Sequence, residues 1–464
     1  MTSLLRRQSL MPALLGGSAA AVALAPDLPS RMLIAGPPVA VALAWWTILS
    51  PERWLGLFFF CAILLPPLPG AFGDSGLSVA PAFALVGIFV GVLRITEWRP
   101  VRGPLPVAFF IFLTVVTGSV GFAALYSGWA IAAGSLARVM LLTVSVWIFF
   151  YTLAGPRGRD ADPMRFARWL FLAGAAAALF ACFDFYFQLP TPAGYGAQFI
   201  WVGQDVLRRA QGLFYEASTL GNFCAFFLVM ILVAAFRPSQ ERPCSGVTLA
   251  AAGVLFAAAL LFSYSRASLV AVAVAGCAFV FVRRMNIRRA FLVVCGSMLC
   301  AALLFRIAMP ELSSHYWDRI GVSLQFFWSA PDGVLSGRLS IWRTIADFLS
   351  REPWSAVFGI GYKTMAYTSI VGPNLPADNT YLSLLVETGV VGLVAFLFLN
   401  VAILRTSFQA ARSSRPRASF FGTWMFCFWC GETVQMLSGD LITYWRVLPI
   451  YFWVLATAVR ESAE

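Results

Sequence analysis

Long apolar runs, separated by short polar segments, fill almost the whole chain. Most of them have roughly 16 to 25 residues, the length that an α-helix needs to cross a bilayer. The pattern predicts an all-α integral membrane protein, a single polytopic domain over residues 1–464 built as a bundle of about 14 transmembrane helices. The predicted spans are residues 10–25, 32–49, 54–66, 78–95, 105–126, 136–153, 169–187, 219–236, 247–263, 266–282, 290–309, 379–404, 419–437 and 441–459.

The first apolar run has a second interpretation. Arg6 and Arg7 precede it and the small-residue sequence Ala23-Leu24-Ala25 follows it, a pattern that is also typical of a cleavable signal peptide. We favour a retained membrane anchor. The topology of the other spans is the same in either case.

The composition supports a membrane protein and shows an excess of positive charge. The chain is 60% hydrophobic and 12% charged, with a mean hydropathy of +0.80, which is more apolar surface than a soluble core would hide. The net charge is +12 and comes almost entirely from arginine, because Lys363 is the only lysine. Such an excess is typical either of nucleic-acid binding or of membrane topology.

The positions of the arginines favour topology. They concentrate in alternate loops, which the positive-inside rule assigns to the cytoplasm. The remaining loops include two long ones, residues 188–218 and 310–378, the second between the eleventh and twelfth spans, and we expect both on the outer face. Nucleic-acid binding is therefore not expected. The basic loops include Arg94, Arg99, Arg165, Arg168, Arg242, Arg283, Arg412, Arg415 and Arg417.

Several ionisable residues fall inside the spans or at their ends, all in the predicted outer half of the membrane. Any one of them could be an arginine that reaches the interface or a carboxylate that pairs with it. Anchoring alone would populate both interfaces, so seven on one side favour an outward-facing basic pocket with interspersed carboxylates. Such a pocket suits an anionic substrate, most naturally a lipid-linked phosphate. The seven residues are Arg138, Asp184, Arg266, Arg306, Glu387, Glu432 and Arg446.

Four short motifs at the outer ends of spans occur in a characteristic order. They are LRRAQGLF at 207–214, FSYSRAS at 262–268, SGRLSIW at 336–342 and FGIGY at 358–362, followed by Asp378-Asn379, nine residues, and the glycines Gly389 and Gly392. Each has a structural interpretation: an interfacial anchor, a turn, close helix packing, or an N-cap at Asp378. In this order, over about residues 200–405, they resemble the O-antigen ligase and polymerase superfamily of bacterial membrane glycosyltransferases.

The resemblance implies a GT-C-like enzyme of the bacterial inner membrane with a periplasmic active site. It would move an oligosaccharide from undecaprenyl diphosphate to a glycan or lipid-linked acceptor, without a metal or another cofactor. Arg266 and Arg338 match the arginines that engage the donor diphosphate. Fixed guanidinium groups can stabilise the charge of that leaving group. The other expected substrate-binding residues are Arg209, Glu216 as its partner, Asn379, Glu387 as the partner of an arginine, and Arg446.

One position departs from the family pattern and affects the choice of reaction. The ligases have a histidine, the proposed base, where this chain has Asp378. Either Asp378 takes the role of the catalytic base or the reaction needs no general base. We therefore favour a polymerase of O-antigen or exopolysaccharide, with a ligase that transfers glycan to lipid A-core as the alternative. A polymerase holds two lipid diphosphates, and surplus outer arginines would suit the second: Arg208, Arg209, Arg306, Arg319, Arg343, Arg351 and Arg446.

Two other classes of protein fit the sequence less well. A transporter or flippase for anionic glycolipids would use similar arginines, but it needs a charged or polar pathway to the other side. The inner halves of the spans are nearly free of ionisable residues. A polysaccharide-assembly scaffold without chemistry would not need an outward basic pocket.

Overall fold

The computed structural model describes residues 36, 45–47, 52–66, 78–156, 162–191, 196–202, 205–214, 216–284, 306–307, 310–335, 337–372 and 378–464. Helices dominate these segments. In chain order they are α1 (Arg53–Leu64), α2 (Ala80–Leu93), α3 (Pro104–Ser127), α4 (Trp129–Ala154), α5 (Pro163–Phe187), α6 (Ala217–Ala235), α7 (Gly246–Phe262), α8 (Arg266–Arg283), α9 (Pro310–Phe326), α10 (Pro331–Val334), α11 (Arg338–Arg351), α12 (Pro353–Phe358), α13 (Thr380–Ala411), α14 (Pro416–Gln435) and α15 (Leu448–Ala463).

Six of the described helices are long and apolar enough to cross a membrane, namely α3, α4, α5, α6, α8 and α13. Helices α1, α2 and α7 are apolar but shorter. This agrees with an α-helical membrane protein. The predicted spans at 10–25 and 32–49 and the span at 290–309 lie wholly or mostly outside the described residues, so the count of about 14 stays a prediction.

The centre of the bundle is formed by α14 and α15. Helix α14 packs against α6, α8, α13 and α15, and α15 also packs against α4. Every residue of α15 from Leu448 to Ala458 is buried. The indole N–H of Trp424, on α14, donates to the carbonyl oxygen of Phe226 on α6 at 2.9 Å. A helix that is apolar on all faces is stable in a protein core or in lipid, and protein encloses α15 over this stretch.

A small antiparallel hairpin interrupts the helical pattern between α5 and α6. Strands β1 (Phe199–Val202) and β2 (Asp205–Arg208) pair so that Phe199 faces Arg208. The hairpin lies in the loop predicted at residues 188–218. The first two residues of the LRRAQGLF motif, Leu207 and Arg208, are the last two residues of β2.

Helix α13 contains a break that anchors part of the loop before it. At Gly389, φ is 69° and ψ is −175°, which is not helical. One turn earlier, the carbonyl oxygens of Val386 and Glu387 accept hydrogen bonds from the N–H groups of Ile360 and Gly361, at 3.0 and 2.8 Å. The FGIGY motif therefore satisfies carbonyl groups that the break leaves without helical partners.

Glycine is required on both sides of this contact. A Cβ atom on Gly389 would lie 2.0 Å from the carbonyl oxygen of Val357, and one on Gly359, where φ is 78°, would lie 2.3 Å from the carbonyl oxygen of Glu387. Both residues also have positive φ, which disfavours any side chain. The glycines predicted to form a turn and to allow close packing thus bring the loop backbone against the broken helix.

Candidate active site

A cavity of about 520 Å³ lies at the end of the bundle where α13 begins. We call this end the site end. Its described lining includes four basic and four acidic side chains, so charges of both signs surround one space. They are Arg209, Arg266, Arg338, Lys363, Glu216, Asp378, Glu387 and Asp440.

The FSYSRAS motif positions two of the arginines. Ser265 caps α8 by accepting a hydrogen bond from the backbone N–H of Ser268, so Arg266 is the first residue of that helix. Arg209 donates from Nε to the carbonyl oxygen of Ser263 at 2.8 Å. Burial lowers the pKa of Arg209, and the nearby charge of Arg266 lowers it further. The charge of Arg266 thus acts on Arg209, and both side chains line the cavity.

Arg266 also contacts two helices that come later in the chain than α8, namely α9 and α10. Its Nη1 donates to the hydroxyl oxygen of Ser323 at 3.2 Å, and its Nη2 donates to the carbonyl oxygen of Val334 at 3.1 Å. Ser323 lies on α9 and Val334 on α10. These helices belong to the predicted loop at 310–378, so this loop contributes to the wall beside Arg266.

Arg338 and Asp378 form an ion pair on the cavity wall. Nε of Arg338 lies 3.7 Å from Oδ2 of Asp378. Arg338 is the first residue of α11, whose start is held by the carboxylate of Asp332, which accepts from the N–H groups of Leu339 and Ser340. Burial raises the pKa of Asp378, although Arg338 lowers it in part. The net direction favours a carboxylate that can take up a proton.

Asn379, rather than Asp378, caps α13. Its side-chain oxygen accepts from the N–H groups of Tyr381 and Leu382, and its Nδ2 donates to the carbonyl oxygen of Leu437. Asn379 is buried and is not among the described residues that line the cavity. It fixes the start of the helix and leaves Asp378, with φ of 43°, free to face the cavity.

Glu216 lines the same cavity at the start of α6. Its two carboxylate oxygens accept hydrogen bonds from the hydroxyl groups of Ser218 and Thr219, at 2.8 and 2.6 Å. Burial raises the pKa of Glu216, and the charge of Arg209 acts in the opposite direction. Glu216 thus acts on Arg209 through its charge, while its hydrogen bonds go to hydroxyl groups.

The partner of Glu387 is a lysine, which corrects the expectation of an arginine. Nζ of Lys363 lies 3.7 Å from Oε2 of Glu387, donates to the hydroxyl group of Ser383 at 3.1 Å, and contacts Oδ2 of Asp440. Burial would lower the pKa of Lys363, but the two carboxylates outweigh it and raise the pKa. This cluster joins the FGIGY loop to α13 and to the segment after α14.

Lys363 and Asp440 are site residues that sequence analysis missed. Lys363 directly follows the FGIGY motif, and its status as the only lysine was the available signal. Asp440 stands one residue before a predicted span. The second carboxylate oxygen of Asp440, Oδ1, is buried and has no hydrogen-bond partner among the described residues, so it can accept a bond from a bound hydroxyl group.

Other ionisable residues predicted for the pocket are used elsewhere in the fold. Arg446 is buried and donates to the carbonyl oxygens of Ala62, Leu65 and Leu213. The other four residues also lie outside the described lining. Asp184 forms an ion pair with Arg208 at 3.1 Å, and Glu432 accepts a hydrogen bond from Asn222 at 2.6 Å. The guanidinium group of Arg138 lies over the ring of Tyr367, and Arg306 is exposed.

Most of the surplus arginines whose side chains the structure describes lie outside the cavity lining. Of the seven proposed for a second diphosphate, Arg209 alone is in the described lining. Arg343 and Arg351 are exposed on α11, and Arg208 pairs with Asp184. Among the described residues, the cavity lining therefore contains three arginines, Arg209, Arg266 and Arg338.

Comparison with known proteins supports the resemblance drawn from the motifs. A family model described as O-antigen ligase matches residues 251–397, about a third of the chain. No curated protein matches the chain. The matched segment contains Arg266, Arg338 and Asp378, whereas Arg209 and Arg446 lie outside it. Residues 251–397 of this multi-pass membrane protein are therefore similar to the O-antigen ligase family.

Proposed function

We propose that the protein transfers a glycan from undecaprenyl diphosphate to a sugar hydroxyl group at the outer face of the bacterial inner membrane. The observation that supports this most directly is the shared cavity wall of Arg209, Arg266, Arg338 and Asp378. Arginines bind phosphate oxygens through paired N–H groups. A carboxylate beside them can accept the proton of an incoming hydroxyl group.

The chemistry requires one bond to form and one to break at the anomeric carbon. The acceptor oxygen forms a bond to that carbon, and the bond from the carbon to the diphosphate oxygen breaks. The hydroxyl proton passes to Asp378, and the electron pair of the broken bond remains on undecaprenyl diphosphate. Arg266 and Arg338 stabilise the charge that develops there, which is the task that a metal ion performs in other glycosyl and phosphoryl transfers.

Within this reaction class we favour a polymerase, with a ligase as the alternative. The preference rests on Asp378, because the ligase pattern has histidine at this position. The seven arginines proposed for a second diphosphate add little support for a polymerase, since Arg209 alone among them is in the described cavity lining. A ligase would use the same donor and differ in its acceptor, lipid A-core.

One assay separates transfer from transport. Purified protein in nanodiscs would be given an undecaprenyl-diphosphate-linked oligosaccharide. We expect release of undecaprenyl diphosphate together with a longer or transferred glycan. Movement of intact lipid between leaflets, with no release, would contradict an enzyme and indicate a flippase.

A gene deletion separates polymerase from ligase. For a polymerase, we expect single repeat units on the lipid carrier or on their final acceptor, with loss of long polymer. Long polymer that accumulates on undecaprenyl diphosphate and never reaches an acceptor would instead identify a ligase. Polysaccharide gels and lipid-linked intermediates from the same cultures give both readouts.

A further inference from the structure

A second and larger cavity, of about 700 Å³, contains five arginine side chains. The first turn of α5, the segment before α7, the start of α14 and the end of α15 surround it. None of its described lining residues belongs to the lining of the candidate active site. Its arginines are Arg165, Arg168, Arg242, Arg415 and Arg417, and its acidic residues are Asp162, Glu241, Glu461 and Glu464.

This cavity lies at the opposite end of the bundle from the candidate active site. Helix α13 begins at the site end and reaches Ala411 after 32 residues, close to Arg415, which is roughly 48 Å at 1.5 Å per residue. Helix α5 likewise begins at this second cavity and ends near the hairpin. Ligands in the two cavities are therefore too far apart to touch.

The acidic residues of the cavity are largely neutralised by arginines. Asp162 pairs with Arg417 at 3.4 Å, and Glu241 pairs with Arg237 at 3.3 Å, a residue outside the lining. Glu464 lies 3.3 Å from Arg460 and 3.7 Å from Arg99, which are also outside it. Among these three carboxylates, Asp162 alone is paired with a lining arginine, and Glu461 is the fourth acidic residue of the lining. The lining thus has five arginines for four carboxylates, two of which have arginine partners from outside it.

Two of those arginines have donors available to a ligand. Arg165 is exposed, and no described residue forms a hydrogen bond or an ion pair with it. Arg168 donates from Nε to the carbonyl oxygen of Pro243 at 2.5 Å, and no described residue accepts from its terminal nitrogens. The bond to Pro243 fixes the side chain, so its two terminal nitrogens are held in place for an anion.

The helix ends add to the positive potential. Helix α5 begins at Pro163 and α14 begins at Pro416, and both starts border the cavity. The N-terminus of a helix has a partial positive charge and favours an anion. Arginines and helix dipoles therefore act in the same direction here.

We propose that this cavity binds a phosphate-bearing anion. The shared chemistry is a phosphate group held by Arg165 and Arg168, with Arg242 and Arg415 also in the lining. The anion can come from the headgroup of an anionic phospholipid in the adjacent leaflet or from a free phosphate compound. The volume of about 700 Å³ is in the range of small-molecule sites, and basic pockets between membrane helices bind lipid headgroups in other proteins.

The test uses the full chain, purified in detergent and delipidated, with short-chain phosphatidylglycerol and inorganic pyrophosphate as probes. Native mass spectrometry counts the bound molecules during titration. We expect Arg165→Gln to weaken phosphate binding about fivefold and the double variant Arg165→Gln/Arg168→Gln roughly 25-fold, since each arginine near an anionic lipid contributes that much. Arg412→Gln is the matched control, because Arg412 is exposed at the same end and outside the lining.

Each outcome has a defined meaning. Loss confined to phosphatidylglycerol assigns the site to a lipid headgroup, whereas a matching loss of pyrophosphate assigns it to a free anion; both support phosphate binding. If the Arg165→Gln and double variants bind both probes as Arg412→Gln does, the proposal is overturned. Should the double variant fail to fold, Arg165→Gln alone decides, because Arg165 has no described partner to lose.

Discussion

Arg338 and Asp378 form an ion pair across the candidate active site, with Nε of Arg338 3.7 Å from Oδ2 of Asp378. Burial raises the pKa of Asp378, and Arg338 opposes this shift. A base must be deprotonated to act, so we expect kcat/KM to fall as pH decreases through a pKa above the ordinary aspartate value of about 3.9.

Replacement of Asp378 tests this role directly. Asp378→Asn should lower kcat/KM by about 10² to 10⁴, the usual contribution of a positioned base, and should remove the acidic limb of the profile. Asp347→Asn is a suitable control, because Asp347 is exposed on α11 outside the cavity. Unchanged activity of Asp378→Asn would show that no base acts at this position.

The donor arginines can be tested with paired substitutions. Arg266→Ala and Arg338→Ala should each reduce transfer by about 10² to 10³ at normal membrane levels, as for the loss of one donor to a developing negative charge. Replacement of either arginine by lysine should restore little transfer activity, because lysine lacks the planar guanidinium group with its paired N–H donors. Arg343→Ala, on an exposed face of α11, should behave like wild type. Activity that disappears on chelation would contradict the metal-independent assignment.

Lys363 should be important for stability. Lys363→Met would leave the carboxylates of Glu387 and Asp440 without their cation, and we expect a loss of about 3 kcal/mol in the free energy of unfolding. We expect a loss at the lower end of the range for removal of one partner of a buried ion pair, because Asp440 is partly exposed. Thermal unfolding in detergent measures the effect. The double variant Lys363→Met/Glu387→Gln should recover part of the loss, and a purely additive result would rule out the pairing.

The break in α13 should tolerate no side chain. Gly389→Ala places a methyl group 2.0 Å from the carbonyl oxygen of Val357 and requires a left-handed backbone. We expect lower expression and early unfolding. Gly276→Ala is the matched control, since Gly276 lies within α8 with nothing within 4 Å of the added methyl, and it should be neutral or stabilising. Equal behaviour of the two variants would refute the steric account.

Topology can be tested with reporter fusions. We expect a fusion near Asp332 to report an external position and one after Arg417 to report a cytoplasmic position, because the two lie at opposite ends of the bundle. Alkaline phosphatase and green fluorescent protein give complementary signals for the two compartments. A cytoplasmic signal near Asp332 would remove the basis for a periplasmic active site.

Apolar runs predicted most of the described helices well. The run at 247–263 corresponds to Gly246–Phe262, and the run at 266–282 corresponds to Arg266–Arg283. The prediction at 379–404 ended too early, because Arg405 and Arg412 interrupt the apolar composition while α13 continues to Ala411. Charge at a helix end changes hydropathy without breaking the backbone hydrogen bonds.

The site was predicted only in part. Motif order identified Arg266, Arg338 and Asp378, which the fold brings to one cavity. The pairing of Lys363 with Asp440 depends on how three distant segments meet, and no local pattern encodes this. Arg446 was expected in the pocket because it is a charge near a helix end, but it satisfies backbone carbonyl oxygens instead. Sequence patterns record a residue's type and depth, but not which groups its neighbours leave unsatisfied.

Because Lys363 is buried, the reactivity of its amine in the folded protein reports how often the site end opens. The chain has one lysine side chain, and it is 5% exposed. An amine-reactive reagent can acylate Nζ only when this buried ammonium group becomes accessible and loses its proton. The rate of acylation at Lys363, followed by mass spectrometry, would therefore measure how often Nζ becomes accessible at the site end.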